Sequence, residues 1–313
     1  MDGVLVIDKP VGVTSHDVID DIRRILHVRR VGHTGTLDPF ATGTLVILVG
    51  PATRLAQFLT GLDKEYEAVI RLGYATDTGD RTGKRIEVVD STAGPWSAQQ
   101  LKEAFASLRG YIDQVPPMYS AKKQQGQKLY ELARRGEEVE RKPVRVCIHE
   151  FEAIRTTTNP AGEMLKDNRD GTFDLKVRVA CTSGTYIRTL AEDFGKRLRV
   201  GAHLAELRRT RVGDFHVETA TTLDQLKLSA AEEGVGRVML PADAALSWFP
   251  ALDLRNEDAR RIKNGIAVKI SEVSWSDQEH VRLRDEQGKL IAVGTFNSGS
   301  SSVHPTVVIA RKD

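Results

Sequence analysis

The sequence predicts an α+β fold on a mixed, mostly antiparallel sheet with flanking helices, followed by a small C-terminal module rich in strands. Three observations carry this expectation. Helix-period and strand-period segments mix without the strict alternation that builds a parallel α/β sheet. Two long strand patterns, at 144–154 and 173–179, flank a polar segment rich in Thr, Asn, Asp and Gly, as antiparallel strands joined by an extended loop do. From Leu240 onward the composition changes and the elements become short. A length of 313 residues fits about two domains, expected at 1–240 and 241–313.

Taken in order, Gly3-Val4-Leu5-Val6-Ile7 is an apolar run ending in Asp8-Lys9-Pro10, a buried strand entering a turn. Ser15 is placed to cap a helix with Val18, Ile19, Ile22, Ile25 and Leu26 on one face, closing in the basic pair Arg29-Arg30. Residues 32–43, rich in Gly, Thr and Pro, form a long structured loop. A strand over 45–49, a short helix over 52–59 and a half-exposed strand over 66–72 follow. Asp77 to Gly83 is turn chemistry. Ser97 with Gln100 makes a capping box for a helix whose Leu101, Phe105 and Leu108 share a face and which Gly110 ends. Cys181 to Leu190 carries a strand through a turn at Gly184 into an amphipathic helix. In the C-terminal module, short helices are expected near Asp243 and over 257–262. Strands are expected over 280–283, 291–296 and 307–310, with 297–302 as a hairpin connection.

Composition narrows the chemistry. The chain is 40% hydrophobic and 28% charged. It has no apolar run of the ~18–20 residues a membrane span needs, and Met1-Asp2-Gly3 lacks the character of a signal peptide; the cytoplasm is the expected location, without a membrane. Cys147 and Cys181 read as buried small apolar residues, too few for a thiolate metal site or a disulfide framework. No HExxH and no histidine cluster with metal-ligand spacing occurs, so no metal is indicated. Gly79 to Lys84 fails as a phosphate loop because Thr78 and Arg85 stand where Gly and Ser or Thr are needed. Ser15-His16-Asp17 cannot converge as a hydrolytic triad from adjacent positions.

What remains is a carboxylate, Asp38, among small and hydroxylic residues. Pro39 keeps it out of helical conformation, so it is either a hydrogen-bonded turn residue or a projecting nucleophile or base. Arg188, one turn into its helix, could fork onto a carboxylate or lie on a solvated face. Tyr66 could be a plain strand aromatic or a ring on which a base stacks. The formal charge of +2 is too mild to identify a nucleic-acid protein, but basic residues concentrate at 23–30, 122–145 and 196–211. These stretches could form one phosphate-tracking surface. The segment 114–145 has the look of an insertion carrying aromatic and basic side chains, a mixture suited to RNA.

The motifs Asp8-Lys9-Pro10-Val11-Gly12-Val13-Thr14-Ser15, Gly32-His33-Thr34-Gly35-Thr36-Leu37-Asp38-Pro39, Lys64-Glu65-Tyr66 and Gly184-Thr185-Tyr186-Ile187-Arg188 stand in the order in which the TruB family has them. The chain closely resembles that family over residues 2 to about 215. The resemblance implies a pseudouridine synthase core with an RNA-binding insertion at 114–145 and a PUA-like module at 241–313. It also implies a tRNA pseudouridine synthase acting on the T-arm uridine at position 55. In that reading Asp38 is the catalytic aspartate, Arg188 its partner, keeping it ionised, and Tyr66 the stacking ring. Leu207 and Tyr186 belong to the substrate pocket, and His33 contacts the RNA. Lys9, with Pro10, is placed with the substrate-binding residues as support for the floor. No cofactor is needed, and the expected partner is the tRNA T-arm stem-loop, with no guide RNA and no obligate protein partner, for a monomer. The competing readings are a non-catalytic RNA-folding module and a guide-RNA-dependent relative.

Overall fold

A computed structural model describes residues 1–86, 94–120, 122–124, 126–137, 139–154, 164–232, 234–271 and 273–309. An eleven-stranded sheet carries the fold. Its main path runs Met239–Leu240, Gly3–Lys9, Thr42–Val49, Ala202–Val212, Lys64–Leu72, Phe173–Cys181, Val144–Ala153, Gly110–Gln114. Along this path every neighbouring pair is antiparallel except one: Thr42–Val49 and Ala202–Val212 run parallel, with Arg208 opposite Thr42 and Arg209 opposite Gly43. The mixed, mostly antiparallel sheet is therefore as expected, and the single parallel seam lies at its centre.

The apolar runs at 3–7 and 45–49 owe their lack of alternation to burial on both faces. Leu5, Ile7, Leu45, Ile47 and Val49 point into one core, with Val18, Ile19, Ile22 and Leu26 of the helix Ser15–Leu26. Val4, Val6, Val46 and Leu48 point into a second, where they meet Leu290, Val293, Val307 and Ile309 from the C-terminal end of the chain. Strands covered on both sides lose the period-2 signal. Lys64–Leu72 keeps it: Tyr66, Ala68, Ile70 and Leu72 enter the first core, while Glu65, Glu67, Val69 and Arg71 are partly exposed.

The C-terminal strands form their own five-stranded sheet, in the order Ala251–Asp253, His280–Arg284, Leu290–Asn297, Ser302–Val308, Val268–Lys269. A third apolar cluster, including Leu254, Ile262, Val281, Leu283 and Phe296, lies inside it. Residues 298–301 do connect a hairpin. The last strand is Ser302–Val308 rather than 307–310, because its pairing with Leu290–Asn297 starts at the turn; Ala310 lies outside the described residues.

Three local expectations change. The helix Ser15–Leu26 is capped by Thr14, whose side chain accepts from Asp17 N while Asp17 accepts from Thr14 N. Ser15 is the first helical residue, and its hydroxyl is used elsewhere, as described below. The segment over 52–59 is a 3-10 turn, Gly50–Leu55, running into one α-turn, Ala56–Leu59. The eleven-residue strand Ala202–Val212 sits where the sequence reads chiefly as a basic stretch.

The parallel seam explains one glycine. Gly43 has φ +103°, and a Cβ there would lie 2.2 Å from Arg209 O. Only a residue without a side chain lets the two backbones close at this point. Gly43→Ala is expected to destabilise the protein by roughly 3 kcal/mol or more, read as a lower urea midpoint. An unchanged midpoint would show that the seam tolerates a side chain.

Candidate active site

The loop 34–41 enters the strand Thr42–Val49 at the seam, and it is held on all sides. Thr34 N donates to Val46 O (3.1 Å), Gly12 N to Pro39 O (2.8 Å) and Ala41 N to Asp38 O (3.1 Å). The Ser15 hydroxyl accepts from Leu37 N at 2.8 Å and donates to Leu37 O at 3.1 Å, fixing the residue before Asp38. From beneath, Arg209, 2% exposed, donates to Thr44 O at 2.7 Å, Gly35 O at 3.0 Å and Thr36 O at 3.5 Å. Lys9 is fully buried and donates to Pro10 O (2.9 Å), Val13 O (2.8 Å) and Pro39 O (3.5 Å). Burial pulls its pKa down to about 8.

Asp38 faces Arg188 across the cavity floor. Arg188 Nε lies 3.0 Å from Asp38 Oδ2 and Nη2 lies 3.4 Å from Oδ1, a forked contact. The guanidinium is fixed by two further carbonyls, Thr78 O at 2.9 Å and Tyr119 O at 2.6 Å, with Asp80 Oδ2 at 3.8 Å behind it. Asp80 is 4% exposed and accepts from Thr78 Oγ1 (3.0 Å) and Thr82 N (2.9 Å), so it braces the turn that holds Arg188. The backbone of Tyr186, at the N-terminus of the helix Ile187–Arg197, is clamped by the buried amide of Gln114, which accepts from Tyr186 N at 3.0 Å.

Asp38 and Arg188 line a cavity of about 450 Å³, within the usual size of a small-ligand pocket. Asp38, Arg188, Tyr66, Leu207 and Tyr186 are all in its wall, with Lys64, Ser120, Thr182 and Gly184. His33 and Lys9 are not. His33 ends the strand Val31–His33, with Nδ1 accepting from Gly35 N at 3.2 Å, so it shapes the loop next to the cavity. Lys9, expected among the substrate-binding residues and as support for the floor, is enclosed beneath the loop and offers a substrate no surface; its geometry is that of a support. Lys64 adds a cation in the wall, its pKa lowered to about 8 by burial.

Arg188 favours the charged form of Asp38, and burial acts against it. Desolvation in the pocket pushes the Asp38 carboxyl above the usual carboxylate range; Arg188 opposes this most strongly, Asp80 adds to the rise, and Lys9 opposes it. Tyr66 is buried with its hydroxyl toward Arg209, and burial raises its pKa, so it presents a neutral ring. Cys181 is buried, its thiol pushed up to about 12, while Cys147 is only half-buried, with Sγ 3.7 Å from His149 Nδ1.

Arg209 and Asp80 hold the site together and are not among the residues the sequence singles out. Arg209 lies in the basic stretch 196–211, where Lys196, Arg208 and Arg211 pair with Asp193, Asp8 and Glu65 while Arg209 is buried. The signal was there, since Arg209 stands two residues beyond Leu207 and so on the same face of a strand. Asp80 belongs to the turn that the sequence predicts over 77–83, and its carboxylate also braces the site.

A pocket built on a forked Asp–Arg pair, under one aromatic wall, can be compared with known proteins. The TruB family pseudouridylate synthase N-terminal domain model matches residues 23–187, and the tRNA pseudouridylate synthase B C-terminal domain model matches 188–247. The chain belongs to the TruB family of pseudouridylate synthases. It is 46% identical over 99% of both chains to tRNA pseudouridine synthase B of Thermobifida fusca (strain YX). To the protein of that name from Geobacillus thermodenitrificans (strain NG80-2) it is 43% identical over 86% of each chain. Among solved structures it resembles a chain of a Cbf5-Nop10-Gar1 complex (TM-score 0.70, 25% identity, 98% of this chain and 85% of that one). The TruB-family assignment makes the chain an isomerase with a mixed α+β core, and places its C-terminal sheet with the PUA-like modules of such neighbours.

A raised Asp38 pKa has a signed consequence for this TruB-family site. If the carboxylate is the active form, kcat falls as pH drops through a value above the ordinary carboxylate range. Arg188→Gln removes the main opposing charge, so the acid limb should move to higher pH. A limb moving to lower pH would show that Arg188 does not stabilise the Asp38 carboxylate.

Proposed function

We propose that this protein converts the uridine at position 55 in the T-arm of tRNA to pseudouridine, acting as a stand-alone monomer without guide RNA. The observation that carries the reading is the forked Asp38–Arg188 pair on the floor of an open cavity walled by Tyr66 and Leu207. A uridine within a folded loop is out of reach of a recessed carboxylate, so it has to leave the stack, at a cost of a few kcal/mol of unstacking. Tyr66 offers the extruded base a replacement surface, and Leu207 an apolar wall.

Within the cavity the N1–C1′ bond breaks, the uracil turns, and carbon 5 bonds to C1′. The carbon-5 proton goes to solvent and N1 gains one, so the atoms balance with no co-substrate. Two roles suit Asp38: addition to the nucleotide, or removal of a proton from its ribose. Arg188 serves either by holding the carboxylate in place and favouring its charge.

The segment 114–145 is proposed to close over the stem-loop. Its described part contains a hairpin, Lys123–Gln124 with Gln127–Lys128, and the short helix Leu129–Arg134, tied to its own base by Arg141 Nη1 donating to Pro116 O at 3.1 Å. His33, beside the cavity mouth, is proposed to meet the RNA where the base leaves the loop. The relatives at 40–46% identity carry the name tRNA pseudouridine synthase B, which favours tRNA as substrate. The neighbour solved with Nop10 and Gar1 is at 25% identity, more distant than the relatives named tRNA pseudouridine synthase B, which favours the reading without partners. Among the described residues no helix is long and apolar enough to cross a membrane; a cytoplasmic location remains part of the proposal.

The test is tritium release from carbon-5-labelled uridine in an isolated T-arm stem-loop, with no other protein and no guide RNA. Wild type should release tritium, and Asp38→Asn should lose at least a thousandfold in rate while binding the stem-loop with little change. Near-normal release by Asp38→Asn would overturn the assignment. Binding without release by wild type would bring forward the RNA-folding or guide-dependent reading.

A further inference from the structure

Ser120 stands out among the groups lining the cavity. Its residue is 5% exposed, and its Oγ has no hydrogen-bond partner. Two other wall hydroxyls are engaged: Thr185 Oγ1 donates to Thr182 O at 2.8 Å, and Thr182 Oγ1 accepts from Cys147 N at 2.9 Å. Among the described residues Ser120 is the one residue lining the cavity whose side chain holds a buried polar atom left unpaired. An orphaned hydroxyl costs folding free energy, and such a group is explained when a ligand supplies its partner.

Its position is set by the catalytic pair. Tyr119 O, the carbonyl that leads into Ser120, accepts from Arg188 Nη2 at 2.6 Å, and the same nitrogen reaches Asp38 Oδ1 at 3.4 Å. The hydroxyl is therefore carried on backbone fastened to the reacting centre.

We propose that Ser120 is a substrate-specificity residue whose hydroxyl hydrogen-bonds the polar edge of the extruded uracil. The inference rests on the pseudouridylation reading of this cavity. Its chemistry fits a base that has to turn. The uracil edge alternates C=O, N–H and C=O, and a hydroxyl can donate or accept as its proton rotates. Arg188 and Lys64 only donate, and an ionised Asp38 only accepts. Ser120 can therefore stay paired while the detached ring presents first one group and then another.

The experiment compares Ser120→Ala with wild type by tritium release from the T-arm stem-loop, by thermal unfolding, and by affinity for stem-loops with uridine or 2′-deoxyuridine at the target position. The expected result is a kcat/KM lowered about tenfold with Tm unchanged or higher, because an unpaired hydroxyl is removed, and weaker binding of both stem-loops. Equal kcat/KM for the two proteins overturns the proposal while wild-type release leaves the reaction assignment standing. A lowered Tm makes Ser120 structural, and weakened binding confined to the uridine stem-loop moves the contact to the ribose; either result overturns it as stated.

Discussion

The buried guanidinium of Arg209 is the interaction on which the rest of the site depends. A charge with 2% exposure is tolerable only when its donors are met, and here they are met by carbonyls rather than by a carboxylate. Thr44 O belongs to the strand that leaves the seam, and Gly35 O and Thr36 O belong to the loop that enters it. One side chain therefore joins the two halves of the sheet and fixes the curvature of the loop bearing Asp38. Gly43 makes the arrangement possible by letting the backbone of Arg209 approach, and Lys9 and Ser15 secure the far side of the same loop. Asp38 is thus presented by a support that does not have to reorganise when substrate arrives.

The carboxylate itself is held in tension between two effects of similar origin. Partial enclosure thins the water around Asp38 and favours its neutral form, while the same enclosure strengthens the field of Arg188, which favours the charged one. Arg188 can sit there because Thr78 O, Tyr119 O and the Asp80 carboxylate share its charge. The turn at 77–83, the base of the segment 114–145 and the helix Ile187–Arg197 therefore converge on one side chain. A change in any of these elements is transmitted to Asp38 through Arg188.

Much of this was legible in the sequence, for reasons that differ by element. The strand 64–72 is covered on one face, so its alternation survives and marks Tyr66 as inward. The capping box Ser97–Gln100 is chemically explicit, and the helix begins there. Asp38, Arg188, Tyr66, Leu207 and Tyr186 were named from motifs, since no spacing rule brings residues 38 and 188 together; only the fold does. Arg209 and the strand that carries it were obscured because arginine counts as polar in any periodic pattern, whatever its donors touch. Ser15 was misplaced by one residue because Thr14 and Ser15 are both competent caps, and the choice was made by Leu37, distant in sequence.

The most direct test of the account is the structure of Asp38→Asn bound to a T-arm stem-loop. The account predicts the target uridine outside its stack, its ring against Tyr66 and its sugar beside residue 38, with Arg188 still on the carbonyls of Thr78 and Tyr119. A bound stem-loop with the uridine stacked in place and the cavity unentered would contradict it.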